Sequence, residues 1–333
     1  MLLEPILALL GGLVLLVAGG ELLVRGAVAV AERLGVSPLL IGLTLVGFGT
    51  STPELVVSVE ASRTGAPGVA IGNIVGSNIS NILLILGLSA LIVPLTVSAS
   101  ALKRDGSIGV VAALLFAVIG VTFGLSRPAG LLLSVGLVAY LVHAYRHERR
   151  VEVVLVEGRG AAFDKAVALE QLDPPHMRPL PGLIGWVVPV AMALAGLATI
   201  IFGGRLLVSG AVDIARLLGM SEAVIGLTIV AVGTSLPELG TSLMAALRRQ
   251  TDIAVGNVLG SNIYNMLGIG GMTGLIAPTA FPADIARMDS WVALGAALLL
   301  MLFAMSGRIS RLEGAAMLLA YAGYTGWLLL RNG

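Results

Sequence analysis

The sequence predicts an all-α integral membrane protein with ten transmembrane helices arranged as two inverted five-helix repeats. Three observations lead there. Hydrophobic residues make up 57% of the 333-residue chain and charged residues only 12%, where a soluble domain carries about 25% charged residues; mean hydropathy is +1.00. Apolar runs long enough to cross a bilayer, which takes about 20 residues, recur along the whole chain. One passage is also written twice at a constant offset of 184: residues 42–55 read GLTLVGFGTSTPEL and 226–239 read GLTIVAVGTSLPEL, while 72–81 read GNIVGSNISN and 256–265 read GNVLGSNIYN.

The first expected span covers roughly 4–28. MLLEPILALLGGLVLLVAGG lacks a positive start and runs on into more apolar sequence, so it reads as a helix and not as a cleaved signal. The second, 36–62, carries GTSTPE, and the third, 68–93, carries GNIVGSNISN. Apolar runs at 107–124 and 128–145 complete the first half. Connections such as SRTGAPG and GLSRPAG are short and polar, except 146–181, which begins RHERR and ends PLPG. That segment is the candidate linker between an N-terminal unit, 1–145, and a C-terminal unit, 182–333. Spans at 182–210, 220–246, 252–277, 290–306 and 312–330 then repeat the order. The register holds upstream as well: Gly19-Gly20 answers Gly203-Gly204, and 31–62 matches 215–246 at 17 of 32 positions.

Five is an odd number. A repeat displaced by five helices enters the membrane from the opposite side, so the halves are expected to be inverted about an axis in the membrane plane. Lys and Arg set the orientation. With the N-terminus outside, 14 of the 20 fall on the inner side. This places both termini outside a cell (inner) membrane and the 146–181 loop in the cytoplasm, with the loop carrying most of the signal. The absence of cysteine excludes disulfides and thiolate metal sites.

The doubled passage holds the chemistry. Proline removes a backbone donor and frees a carbonyl one turn back, so Pro53 frees one near Gly49 and Pro237 one near Gly233. Broken backbone at membrane depth persists only where it is buried in protein or lines a cavity. Thr50, Ser51, Thr234 and Ser235 add hydroxyl oxygens at each break, and Glu54 and Glu238 add charge. Intramembrane carboxylates are costly and point to function. An all-oxygen cluster suits hard cations such as Ca²⁺ and Na⁺. In the second element Gly72 and Gly76 allow a close helix approach. Ser77 and Asn81 share one helix face, as do Ser261 and Asn265. Asn73 and Asn78 are expected to bond the broken backbone of a facing helix. Glu60 is answered by Met244 and stands outside the symmetric set, while Glu21 and Arg25 pair along the first helix. His143, His147 and His176 have no metal-site spacing and read as solvated. VEVVLVEGRG in the loop reads as a short strand at most and lacks the pattern of a calcium-binding loop.

The paired GTSxPE and GNxxGSNIxN blocks resemble the α-repeats of the Ca²⁺/cation antiporter superfamily, and the chain is most similar to its prokaryotic sodium/calcium exchangers. The resemblance spans nearly the whole chain. It implies a diamond of four ion sites built by the second, third, seventh and eighth helices. Glu54 and Glu238 would be the shared acidic ligands, with Thr50, Ser51, Thr234 and Ser235 beside them. Gly47 and Ala231 would offer carbonyls, Ser77 and Ser261 flanking oxygens, and Asn81 and Asn265 would complete the ring. The long first and sixth helices would slide as a pair. The chain departs from many relatives at Asn265, where they carry Asp. Two carboxylates remain, which one Ca²⁺ or two Na⁺ would neutralise, so the family's 3:1 electrogenic coupling and potassium co-transport are open.

The expected function is therefore a secondary antiporter exchanging Na⁺ for Ca²⁺ by alternating access, without a cofactor, the ions and the bilayer being its partners and one protomer sufficing. A cation/proton or other divalent-cation antiporter is the nearest alternative, although the proton-coupled branch typically has Glu at the positions of Asn81 and Asn265. A channel would show no counterflow. An intramembrane enzyme has no support: there is no paired Asp site and no HExxH.

Overall fold

The computed structural model describes residues 3–34, 49, 51–99, 102–151, 184–249 and 251–331. Within them the chain forms α1 (Leu3–Arg33), α2 (Thr52–Arg63), α3 (Pro67–Ile92), α4 (Leu102–Thr122), α5 (Arg127–Val151), α6 (Ile184–Leu218), α7 (Glu222–Thr234), α8 (Leu236–Leu247), α9 (251–276), α10 (Ile285–Ala304) and α11 (Arg311–Arg331). Among the described residues, α1, α3, α4, α5, α6 and α10 are long and apolar enough to cross a bilayer; α7 and α8, bent by 50° at their join, are so only when taken together, as one broken span or a re-entrant pair. Residues 36–48 of the second expected span and 152–181 of the linker, with its possible strand, lie outside the described residues, as do Gly47 and Thr50.

Helix ends follow local chemistry. Pro53, Pro67 and Pro237 stand in the first turns of α2, α3 and α8, where a missing N–H costs no helical bond. The Ser221 hydroxyl caps α7 by accepting the Val224 N–H at 3.3 Å. α6 ends at Gly219, whose φ of +66° reverses the chain, and the Met220 N–H closes back on the Ala215 carbonyl at 2.9 Å. Helices α4 and α10 begin at Leu102 and Ile285, five residues before the expected starts. Both early turns are wide π turns, Leu102–Gly106 and Ile285–Asp289, that draw charged residues into the helix. Those charges had marked the span ends in the sequence. In the fold Arg104 bonds its neighbour Asp105 at 3.0 Å, and Asp105 is fully buried.

α3 and α9 form the centre. Some 83% of the α3 span is buried, against 28% of the α1 and α6 spans, whose free faces carry exposed leucine, valine and phenylalanine. α2 packs on α3, α8 on α9, and α7 lies along α3; α5 and α11 flank α9 and α3, and α4 packs on α10. Helices α1 and α6 run antiparallel. Their seam is a glycine at every seventh residue of each helix, Gly12, Gly19 and Gly26 on α1 and Gly196, Gly203 and Gly210 on α6; Gly12 meets Gly203 and Gly19 meets Gly196, while Gly26 meets Pro189 and Ala193 and Gly210 meets Pro5 and Leu9. A Cβ on Gly12 would lie 2.5 Å from the Leu207 nitrogen, and one on Gly26 2.5 Å from that of Ala193, so the two backbones touch directly.

Contacts exchange when the halves are exchanged by 184 residues. A two-residue strand, β1 (Leu95–Thr96), pairs antiparallel with β2 (Arg308–Ile309), Leu95 facing Ile309. An isolated bridge joins Leu125 to Thr279; these are the repeat counterparts of Ile309 and Leu95. Gly12 meets Gly203 and Leu207, while its counterpart Gly196 meets Gly19 and Leu23.

Candidate cation site

Ser51 and Glu54, like Ser235 and Glu238, are three apart and share one helix face. Each pair sits where its helix restarts after the break: Ser51 (φ −88°, ψ 5°) and Ser235 (φ −85°, ψ 9°) leave helical geometry at the same step. The next turns then resume, the Leu55 and Leu239 N–H groups bonding the Ser51 and Ser235 carbonyls at 3.1 and 3.0 Å.

The two breaks meet at the protein centre. The Ser235 hydroxyl donates to Glu54 Oε1 at 3.1 Å, and the Ser51 hydroxyl donates to Glu238 Oε1 at 3.4 Å. Each half thus supplies a carboxylate to the other half's serine. Ser261 on α9 donates to the same Glu238 oxygen at 3.4 Å. Both carboxylates are wholly buried. Hydroxyls bring no charge, and burying two carboxylates costs several kcal/mol each (order of magnitude) unless cations or protons share the site. Among the described residues no three His, Cys, Asp or Glu side chains form a metal-binding group, so any cation here would meet two carboxylates and otherwise neutral oxygens.

The expected second ring is partly assembled. Ser77 reaches the Ala231 carbonyl at 3.5 Å, and Thr234 bonds the same carbonyl at 3.3 Å. Asn81 Nδ2 donates to Asn262 Oδ1 at 3.0 Å. Neither side-chain polar atom of Asn265, 1% exposed, has a hydrogen-bond partner among the described residues. Ser77, Ser261, Asn81, Ala231 and Thr234 are likewise buried. Gly72 and Gly76 make the close approach expected of them, to α7: a Cβ on Gly76 would lie 2.6 Å from the Leu227 carbonyl oxygen.

Asn73 bonds the first turn of α2, just past the break, and not the broken backbone itself. Its Nδ2 holds the Glu54 carbonyl at 3.1 Å and Ser58 at 3.0 Å, and its Oδ1 accepts from Thr234 at 2.9 Å. Asn78 does neither: its amide turns back to Ile74 at 2.8 Å on its own helix. Asn262 takes the bridging role instead, donating to the Asn78 carbonyl at 3.2 Å. The sequence reading passed over Asn257, the counterpart of Asn73, which donates to Ser242 at 2.8 Å and Thr241 at 2.7 Å beside Glu238. It also passed over a second buried acidic pair. Asp105 accepts from Tyr140 at 3.4 Å, and Asp289, 184 residues later, accepts from Tyr324 at 2.9 Å. The repeat offset applied to every Asp and Asn would have found all of them.

A model of the family described as "Sodium/calcium exchanger protein" matches this chain twice, over residues 4–146 and 188–330. The chain belongs to the sodium/calcium exchanger family. The two matches start 184 residues apart, in the register of the doubled passage. A putative antiporter, CaxA of Alkalimonas amylolytica, is 39% identical over 94% of this chain and 95% of its own. The sodium/calcium exchanger MaX1 of Methanosarcina acetivorans is 36% identical over 96% of each. Among solved structures, the sodium-calcium exchanger NCX_Mj soaked with Na⁺ and Sr²⁺ superposes with a TM-score of 0.60 at 33% identity, covering 98% of this chain and 99% of that one. The protein is thus a membrane-embedded cation antiporter of the calcium-exchanger class, and not an enzyme.

Proposed function

We propose that this antiporter exchanges Na⁺ for Ca²⁺ by alternating access through one central site. The observation that carries this reading is the reciprocal pair Ser235–Glu54 and Ser51–Glu238: the two halves build one site, and neither half builds it alone. Its ligands are Glu54 and Glu238, the hydroxyls of Thr50, Ser51, Thr234, Ser235, Ser77 and Ser261, the carbonyls of Gly47 and Ala231, and the side-chain oxygens of Asn81 and Asn265. One Ca²⁺ or two Na⁺ balance the two carboxylates, so the ions compete for the same charge.

In this reading the chain crosses the membrane ten times, as two inverted units, 1–145 and 182–333, joined by a cytoplasmic 146–181 linker with both termini outside. The exchanging contacts Leu95–Ile309 and Leu125–Thr279 support a twofold relation between the units, and the odd helix count makes it an inversion. Calcium flux driven by a sodium gradient in proteoliposomes, at several clamped voltages, tests the function. Uptake should follow the sodium gradient, and its voltage dependence reads the coupling ratio. Uptake that ignores sodium and follows an imposed pH gradient would overturn the reading.

A further inference from the structure

The exchange of contacts between halves fails in the packing of the α1–α6 pair. Helix α6 packs along α2. A Cβ on Gly204 would lie 2.7 Å from Val56 Cγ1, so α6 and α2 are in tight contact there. The counterparts of these residues, Gly20 and Gly240, lie apart: nothing stands within 4 Å of a Cβ on Gly240, and Gly20 meets only the Gly49 carbonyl at 3.9 Å. Among the described residues no comparable packing joins α1 to α8. The pair has closed on the α2 side and stands away from the α8 side.

Among the described residues, an ion pair crosses the closed seam. Arg205 Nε on α6 lies 3.3 Å from Glu60 Oε1 on α2, with the Glu60 side chain 15% exposed. The repeat does not copy this pair. Glu60 is answered by Met244, and Arg205 by Glu21, which bonds Arg25 on its own helix. When α1 closes on α8 in the exchanged arrangement, Glu21 faces Met244 and no ion pair forms. Among the described residues the α2 side therefore carries a charge pair that the α8 side lacks.

We propose that Glu60 and Arg205 form a one-sided latch, made when the α1–α6 pair closes against α2 and broken in each cycle when it moves toward α8. The latch rests on the alternating-access reading and deepens it: it biases the resting protein toward the state closed at α2. Neither residue belongs to the central site, so the latch acts on the balance of states and not on ion coordination.

The chain contains no cysteine, so single cysteines report access directly. Val56→Cys lies in the closed seam and Gly240→Cys in its open counterpart. A membrane-impermeant maleimide is applied to each in proteoliposomes, with choline replacing sodium. Glu60→Gln or Arg205→Gln should raise labelling at position 56 and lower it at position 240 by about two- to five-fold, the range of a partly exposed ion pair. The exchanged pair Glu60→Arg with Arg205→Glu should restore both rates. Met244→Glu with Glu21→Arg adds a second latch at the other seam and should shift both rates in the same sense as Glu60→Gln, raising labelling at 56 and lowering it at 240. If calcium changes the two labelling rates in opposite senses while Glu60→Gln and Arg205→Gln leave them unchanged, or if the charge exchange fails to restore them, the latch is wrong and the exchange mechanism stands. If no ion changes either rate, alternating access falls and the latch with it.

Discussion

Replacing Glu54 or Glu238 by glutamine isolates charge from shape. Glutamine keeps a side-chain oxygen where Ser235 or Ser51 donates, so the local bonding survives while one negative charge disappears. Both positions are fully buried, where screening by salt is weak. At about 4 Å and an effective dielectric of about 20, one unit charge attracts another by about 4 kcal/mol. Each substitution therefore removes about 4 kcal/mol of attraction for Na⁺ and about 8 kcal/mol for Ca²⁺. The difference corresponds to roughly a thousand-fold, which local relaxation and a differently filled hydration shell reduce. Glu54→Gln and Glu238→Gln should both abolish sodium-driven calcium flux. Calcium affinity should fall at least about ten-fold more than sodium affinity in each. Calcium and sodium titrations of the purified variants by calorimetry give the two affinities, and radioactive calcium uptake in proteoliposomes gives the flux. An equal loss for both ions, or calcium transport that survives either substitution, would refute the idea that these two carboxylates carry the site's charge.

Gly26→Ala places a Cβ 2.5 Å from both the Ala193 nitrogen and the Pro189 carbonyl oxygen; restoring ordinary contact parts the α1 and α6 backbones by about 1 Å, an overpacking cost of about 1–3 kcal/mol, so thermal unfolding in detergent should come at lower temperature, while Gly11→Ala, with nothing within 4 Å, should leave it unchanged. Asn257→Ala removes the donor that holds Thr241 and Ser242 beside Glu238 and leaves buried hydroxyls without it, a loss of about 1–3 kcal/mol. Calcium affinity should weaken with it, and Asn257→Gln should recover less than half of the loss because its longer amide overshoots both hydroxyls.

The doubled passage made most of the site legible. Identical residues at a fixed offset named Ser51, Glu54, Ser235 and Glu238, and the proline beside each carboxylate located the two breaks. What the passage could not name was the partner of each hydroxyl. Ser51 and Ser235 donate across the halves, a choice set by how the bent α7–α8 pair meets α2, and no spacing within one helix encodes that. Helix ends were legible where proline or glycine stopped the chain, as at Gly219, and misread where π turns carried Lys103 and Arg287 inside α4 and α10. Asn78 was misassigned for a related reason: a buried asparagine can satisfy its amide on its own helix one turn back, and Asn262 was left to bridge. Asp105 and Asp289 went unnoticed because each stands among charges that mark a helix end in the sequence, and burial against Tyr140 and Tyr324 appears only in three dimensions.

Asn81 and Asn265 are identical by repeat, yet their surroundings differ. Asn81 donates to Asn262, while Asn265 has no hydrogen-bond partner among the described residues. The neighbours differ too, Ser80 being answered by Tyr264 and Ile82 by Met266, but the one-sided closure of α1 and α6 on α2 also sets the halves apart in conformation. If the halves exchange conformations, as the alternating-access proposal requires, the roles would reverse: Asn265 would acquire Asn78 as its acceptor and Asn81 would be released. An unbonded buried amide costs about 1–3 kcal/mol, so each state carries one such cost and the two cancel across the cycle, which keeps the states close in energy. Asn81→Ala removes a bond made only in the present state, and Asn265→Ala one made only in the exchanged state. In ion-free proteoliposomes the two substitutions should therefore move maleimide labelling of Gly240→Cys in opposite directions, Asn81→Ala lowering it and Asn265→Ala raising it. Shifts of the same sign would show that the two asparagines respond to something other than the exchange of states.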